Sequence, residues 1–354
     1  MSLYSRLGAN RPAVAEISDF TDPTTGETVD VKRSDFIHDS SGKRGESSWG
    51  TVYEAKYRHD GCRYAIKKID RIDFDDENNS PKLAFKREMD FLKEATGWQC
   101  PNIVRFHGYI QFSKSAWLIL DLMDKDLLEI MRRDNFYSDL ARLNVEERTC
   151  LGYMMLRDIS NGLQLAHGAN RQGKAYMHRD IKPNNIMVKC NERRLAIIDF
   201  GSTKEISKEE LKVHSVAAGH QLYLAPECMV GPAKYNQLID IWSLGITMIR
   251  FFSGKHPIYD DSADQASSSN DHQKNFEIYC RILGQDIDGD KYDWPIQLVS
   301  DGLDQDFTIL INQCVDRDPS NRPSAQDIYD IASPIVNLMD PNLAVQLFDK
   351  FFCS

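Results

Sequence analysis

Residues 178–185 read His-Arg-Asp-Ile-Lys-Pro-Asn-Asn, and residues 199–201 read Asp-Phe-Gly. No other feature constrains the chain as tightly. A carboxylate, Asp180, stands two residues before a cation, Lys182, and five before an amide, Asn185. A second carboxylate, Asp199, follows fourteen residues after Asn185, behind a short hydrophobic strand. Either motif alone arises by chance, but their joint order with these flanks does not. Buried carboxylates with no metal to neutralise them repel each other, so the group reads as a site rather than as packing.

The chain has 354 residues, long for one core and comfortable for two lobes. Hydrophobic residues make up 42%, enough to bury a sizeable interior. The formal net charge of −10 argues against a nucleic-acid or anionic-membrane partner, which would want a basic face. Eight cysteines stand at 62, 100, 150, 190, 228, 280, 314 and 353, none in a CxxC pair. They read as reduced thiols of a cytoplasmic or nuclear protein. The start, Met-Ser-Leu-Tyr-Ser-Arg-Leu-Gly, has no apolar signal core. No run approaches the roughly 18 apolar residues of a membrane helix, so membrane insertion is not expected.

Along the chain, residues 1–34 read as a partly flexible extension, with a turn at Asp22-Pro-Thr-Thr-Gly-Glu27 and a strand over 28–31. Strand alternation marks Thr51–Ala55 and Tyr64–Ile69. Lys82–Ala95 has helical periodicity through Phe85, Met89 and Leu92. Apolar strands follow at 103–110 and 116–122, and beyond 125 the pattern is mostly helical. Residues 260–274 are polar and low in complexity, a flexible surface loop. The expected division is an extension (1–34), a small lobe (35–122), a large lobe (123–335) and a helical tail (336–354).

Phosphoryl transfer needs a group to orient the attacking hydroxyl and oxygen ligands for the magnesium ions that neutralise the phosphates. Asp180, Asn185 and Asp199 are groups of those kinds. With Ala65-Ile66-Lys67, Arg87-Glu88-Met89 and Ala225-Pro226-Glu227, they make the chain resemble a eukaryotic protein kinase of the serine/threonine type over residues 35–333. The resemblance implies an α+β bilobal fold: a small antiparallel sheet with one helix, and a larger, mainly helical lobe. It places ATP with Mg2+ in the cleft between them. It makes Asp180 the residue that orients the hydroxyl and Lys182 the one that stabilises the transferring group. Lys67 contacts the α- and β-phosphates and is held by Glu88, with Glu94 a rival. Asn185 and Asp199 hold the metal.

Gly45-Glu-Ser-Ser-Trp-Gly50-Thr-Val52 stands where such kinases carry a glycine-rich loop, with Ser47 replacing the middle glycine. Read alone, it is equally a hairpin turn. By resemblance, Val52, Ala65 and Met187 sandwich the adenine, Leu120 backs its pocket, and the backbones of Asp121 and Met123 bond to it. Asp126 reaches the ribose. Leu92, Phe106, His178 and Phe200 form an apolar column, and Glu227 pairs with Arg322.

Cys100–Gly108, Trp117–Asp124 and Ala218–Glu227 resemble the MAP kinase kinases, although His220 replaces a threonine common in the wider family. Asp124-Lys-Asp-Leu, Ile282-Leu-Gly-Gln-Asp and Trp294-Pro295 resemble the MAP-kinase and cyclin-dependent branch instead. The implied partners are a protein substrate and an upstream activating kinase, with Ser215 as the regulatory phosphosite answered by Arg179. Oligomeric state is not specified. A pseudokinase, a binding module with this fold, is the rival reading; Ser47 and His220 favour it, whereas Lys67, Asp180 and Asp199 are all present. A small-molecule kinase is disfavoured by the complete segment through Glu227.

Overall fold

The computed structural model describes residues 17–21, 26–37, 42–47, 49–168, 174–207, 213–214, 221–228, 234–257 and 302–354. Two compact units emerge: Met1–Lys93 with Arg105–Leu122, and Glu94–Val104 with Met123–Ser354.

The first unit holds one antiparallel sheet. Its strands are β1 (Ile17–Thr21), β2 (Thr28–Val29), β3 (Phe36–Ile37), β4 (Lys43–Ser47), β5 (Gly50–Tyr57), β6 (Arg63–Asp70), β7 (Phe106–Gln111) and β8 (Ser115–Asp121). They run in the order β2-β1-β7-β8-β6-β5-β3, with β4 paired to β5. Side chains alternate between faces along a strand. Tyr64 and Ile66 of β6 join a core with Phe20, Val31, Phe36, Tyr57 and Trp117. Phe20 is its hub, with ring centroids 5.0 Å from Tyr57 and 5.8 Å from Tyr64. Such pairs add about 0.5–1.5 kcal/mol each beyond simple burial.

The reading of residues 1–34 as an extension needs amending, because β1 and β2 are part of this sheet. β1 pairs with β7 from Ile17↔Gln111 to Phe20↔Gly108. Gly108 makes that possible: a Cβ there would lie 1.9 Å from the Asp19 carbonyl oxygen. Strand β2 is shorter than the sequence suggested. Val31 is buried beyond its end, and its N–H donates to Ser18 Oγ at 3.0 Å.

Helix α1 (Ser80–Thr96) buries Ala84, Phe85, Glu88, Phe91, Leu92 and Ala95, one stripe at helical spacing. A carboxylate therefore sits within the apolar face.

In the second unit, among the described residues, the elements are β9 (Lys125–Asp126), α2 (Leu127–Met131), α3 (Phe136–Ala141), α4 (Val145–His167), β10 (Lys174–Met177), β11 (Ile186–Lys189), β12 (Arg194–Ile197), β13 (Lys204–Ser207), β14 (Val213–His214), β15 (Lys234–Tyr235), α5 (Leu238–Ser253), α6 (Gln305–Cys314), α7 (Ala325–Leu338) and α8 (Pro341–Phe348). Helix α4 starts at a reciprocal cap: Asn144 Oδ1 accepts from the Glu147 N–H, and Glu147 Oε2 from the Asn144 N–H. It packs along α7; Leu151, Met155 and Ile159 are buried, and the Tyr153 ring meets Phe307 with centroids 5.0 Å apart. Three short ladders, β10-β13, β12-β11-β9 and β14-β15, carry the connecting loops.

The tail returns to the start of this unit. Phe348, Phe351 and Phe352 are buried, and Arg193 pairs with Asp349 at 2.8 Å. Cys190 and Cys353 form a disulfide. This corrects the expectation of reduced thiols for those two residues. They lie 163 positions apart, so sequence spacing carried no trace of the pairing. Among the described residues, Cys62, Cys100, Cys150, Cys228 and Cys314 are in no disulfide.

Candidate active site

In the first unit, register decides which side chains share a face. Val52 and Leu118 lie opposite Lys67, and Leu120 lies opposite Ala65. Directly opposed residues project to the same side. Val52, Ala65, Lys67 and Leu120 therefore line one face, the one opposite Phe20. There the Lys67 ammonium meets Glu88 Oε2 at 2.5 Å, with both side chains at most 3% exposed. Glu94, the rival, instead accepts from the Tyr176 hydroxyl at 2.5 Å. Burying two charges this deeply is costly unless they are paired, as these are.

The glycine-rich segment forms the β4–β5 hairpin, with Gly45↔Val52 and Ser47↔Gly50 in register. A Cβ on Gly50 would lie 2.2 Å from the Lys68 carbonyl oxygen, so the glycine is required by strand packing. At Gly45 a Cβ would meet nothing within 4 Å, leaving open space over the strand. Asp121 Oδ1 is 2.7 Å from His107 Nε2, a pair that the sequence did not reveal. Leu92 and Phe106 are buried within the same unit.

In the second unit, Asp180 is surrounded by donors. Lys182 Nζ lies 2.8 Å and Asn185 Nδ2 2.9 Å from Asp180 Oδ2, and Asn185 Nδ2 also donates to the Asp180 carbonyl at 2.8 Å. With its nitrogen turned to Asp180, the Asn185 amide directs its oxygen the other way. The Asn185 carbonyl accepts from the Ile198 N–H at 3.0 Å, which brings Asn185 beside the residue preceding Asp199. Asp199 has φ +60, a left-handed conformation rare for a non-glycine residue and concentrated at functional sites.

The loop is held from below by Asp240, in the first turn of α5. Its carboxylate accepts from the N–H groups of His178 and Arg179, both at 2.8 Å, and lies 2.9 Å from His167 Nε2. Arg179, at φ +67, turns its Nε to the Ser202 carbonyl at 2.7 Å. His178 Nδ1 accepts from the Asp180 N–H at 3.2 Å, so Nε2 is the protonated nitrogen and donates to the Ile198 carbonyl at 3.0 Å. Its ring stacks on Phe200, with centroids 4.8 Å apart. Burial pushes the Asp240 pKa up, but the His167 hydrogen bond and charge outweigh it and hold the pKa below 3.8. Nothing in the sequence around Asp240 reveals that it anchors a loop some 60 residues upstream.

Replacing Asp240 with Asn is expected to destabilise the fold by about 3 kcal/mol, since one face of the amide presents donors to donors. Because the folded pKa lies below the unfolded one, the carboxylate's contribution is present above about pH 4. It is lost as pH falls through the folded value. Urea unfolding of both proteins between pH 3 and 7 measures this; equal stability throughout would contradict the anchoring role.

Asp126 does something the resemblance did not suggest. It caps α2, accepting from the Glu129 N–H at 2.7 Å. Burial raises its pKa. Met187 stands in register with Asp126 across the β11–β9 ladder. Met123 is buried. Arg322 holds Glu227 in a bidentate pair at 2.7 and 2.8 Å. Ser215, His220 and the loop 260–274 lie outside the described residues, as does the Ser47 side chain.

Among the described residues, no group of three or more His, Cys, Asp or Glu side chains could hold a metal. The oxygens of Asn185 and Asp199 nonetheless fit Mg2+, which takes one or two protein ligands and completes its shell with water and phosphate. Among the described residues no helix is long and apolar enough to cross a membrane.

The protein kinase domain family model matches residues 39–332. The chain belongs to the protein kinase family, which carries with it protein substrates and the use of ATP with a divalent metal. It is 27% identical to the MAP kinase kinase mkk-4 of Caenorhabditis elegans, over 87% of this chain and 78% of the relative. It is 25% identical to the dual specificity mitogen-activated protein kinase kinase sek-1 of the same organism, over 85% and 79%. A probable serine/threonine-protein kinase of Dictyostelium discoideum, glkA, is 26% identical over 87% of this chain and 60% of its own length.

Proposed function

We propose that this protein transfers the γ-phosphate of ATP, as its Mg2+ complex, to serine or threonine hydroxyls of a protein substrate, in a signalling step such as that of a MAP kinase kinase. The observation that carries the reading is the donor set on Asp180 Oδ2, with Lys182 at 2.8 Å and Asn185 at 2.9 Å. This set fixes a carboxylate in a loop held by Asp240. Asp180 orients the substrate hydroxyl and takes its proton late, as the new P–O bond forms and the bond to the β-phosphate oxygen breaks, releasing ADP. Lys182 stabilises charge on the transferring group. Lys67, held by Glu88, positions the α- and β-phosphates. Asn185 and Asp199 would hold Mg2+, which when bound would neutralise phosphate charge.

The resemblance of Cys100–Gly108 and Trp117–Asp124 to MAP kinase kinases, with the two nematode relatives, supports the cascade assignment. Tyrosine as a further acceptor, a phosphate on Ser215 placed by an upstream kinase and answered by Arg179, and a cytoplasmic or nuclear setting belong to the same reading. The test is purified protein with radiolabelled Mg-ATP and a generic protein substrate, followed by phosphoamino-acid analysis. Label on serine and threonine, lost on chelating the metal, is the expected outcome. Nucleotide binding without label on substrate or on the protein itself would favour a binding module instead.

A further inference from the structure

The turn that follows α8, Asp349–Cys353, is docked by many contacts besides its sulfur. Phe351 packs 5.9 Å from Phe136 and Phe352 6.2 Å from Phe251, ring centroid to ring centroid. Arg133 donates to the carbonyls of Phe351 and Ser354, and Lys125 Nζ donates to the Ser354 carbonyl at 2.8 Å. Contacts of these kinds hold a segment in place without a covalent bond. The Cys190–Cys353 disulfide is added to them, its Cα atoms at an ordinary separation of 5.6 Å.

The bond joins the tail to the strand that opens the second unit. The Cys190 N–H donates to Asp124 Oδ2 at 2.7 Å, and the Asp124 N–H to the Val188 carbonyl at 2.9 Å. Lys125 and Asp126 pair with Val188 and Met187. Residues 349–354, the turn at 190–192 and residues 124–126 are thus one connected block.

Two observations mark the bond as reversible. Both cysteines are only half-buried, so a thiolate from solution can reach the sulfurs. Among the described residues it is the only disulfide, and five other cysteines stay unbridged, Cys62 among them and exposed. A chain of 354 residues buries enough core to fold without a disulfide framework. Where thiols persist in a reducing setting, the disulfides that do occur are usually transient and redox-sensing.

We propose that Cys190 and Cys353 are a reversible redox modification site, a latch that a dithiol reductant opens and a small-molecule disulfide closes. One thiolate of the dithiol attacks either sulfur of the pair. A mixed disulfide forms, and the other cysteine leaves as a thiolate and takes a proton. The second thiol of the reductant gives up its proton and displaces the remaining cysteine. Two electrons pass from the dithiol, now a disulfide, to the pair, now two thiols. Oxidised glutathione runs the exchange in reverse and departs as two molecules of reduced glutathione. With the bond open, only noncovalent contacts hold the turn, so it and residues 124–126 open locally more often. The latch is read without turnover, so it stands or falls apart from the phosphoryl-transfer reading.

The test incubates full-length folded protein with dithiothreitol or with oxidised glutathione, then blocks thiols with iodoacetamide for peptide mass mapping. Cys190 and Cys353 should each carry an alkyl group after dithiothreitol. After oxidised glutathione they should appear in one cross-linked peptide, and the two forms should interconvert. On reduction, amide hydrogen exchange should quicken by about tenfold or more at residues 124–126 and 349–353, the scale of losing one tether. Exchange within α4 should not change. Cys190→Ser and Cys353→Ser should each exchange like the reduced wild type whichever reagent is present. Failure of the cross-linked peptide to form overturns the proposal, as does a bond that dithiothreitol leaves intact in the folded protein. Equal exchange in the two wild-type states also overturns it. So does a dithiothreitol response that persists in both serine variants, which would assign the effect to another cysteine.

Discussion

Asp180→Ala is expected to lower phosphate transfer by about 10³-fold, roughly 4 kcal/mol in the barrier, with the fold retained. On the proposed function, the alanine removes the group that would orient the hydroxyl. It also deprives Lys182 and Asn185 of the oxygen that both donate to, so their own positions loosen. Asp199→Asn should fall comparably, because an amide replaces the carboxylate that on the proposed function would ligate the metal, while leaving the shape of the turn. Initial rates at saturating Mg-ATP, with circular-dichroism melts of each variant, measure both losses. Near-normal turnover in either well-folded variant would sink the assignment of these residues.

Lys67→Met is expected to cut turnover on the same scale, and to weaken phosphate positioning more than adenine binding. It also removes the ammonium from Glu88, whose side chain is 1% exposed, and removing one partner of a buried ion pair costs about 3–5 kcal/mol of stability. The double variant Lys67→Met with Glu88→Gln removes that penalty and separates the two effects: stability returns and turnover does not. Glu88→Gln alone should be milder, since the amide still accepts a hydrogen bond from Lys67 without charge assistance. Glu94→Gln serves as the control, because Glu94 bonds to Tyr176 and not to Lys67. Comparable losses in the Glu88 and Glu94 variants would contradict the register of α1.

The motifs were legible where chemistry is local. Residues 178–185 place Asp180, Lys182 and Asn185 within one tight turn, so their order in the chain already implies their proximity. Strands β5 and β6 and helix α1 followed from periodicity, because alternation and 3.6-residue spacing are properties of short stretches. The choice between Glu88 and Glu94 was not legible in this way. Both lie on the same helix, and only the packing of α1 shows which one enters the buried stripe.

Other features depend on contacts that no short window contains. Residues 17–21 look like an extension until Gly108 admits them to the sheet edge. Asp126 reads as a ribose ligand, and only its backbone setting shows that it also caps a helix. Cys190 and Cys353 read as free thiols until the tail folds back over residues 190–193. Asp240 belongs by resemblance to the set Asp240-Ile-Trp242-Ser-Leu-Gly245, but its role shows only when its two oxygens meet the backbone of residues 178 and 179. The sequence by itself determined the class of protein and the chemical groups of the site, since these depend on residue type at short spacing. Only the tertiary structure decided the anchors of the catalytic loop, the membership of the sheet and the pairing of Cys190 with Cys353. Each of these is a matter of which distant surface a side chain or strand meets.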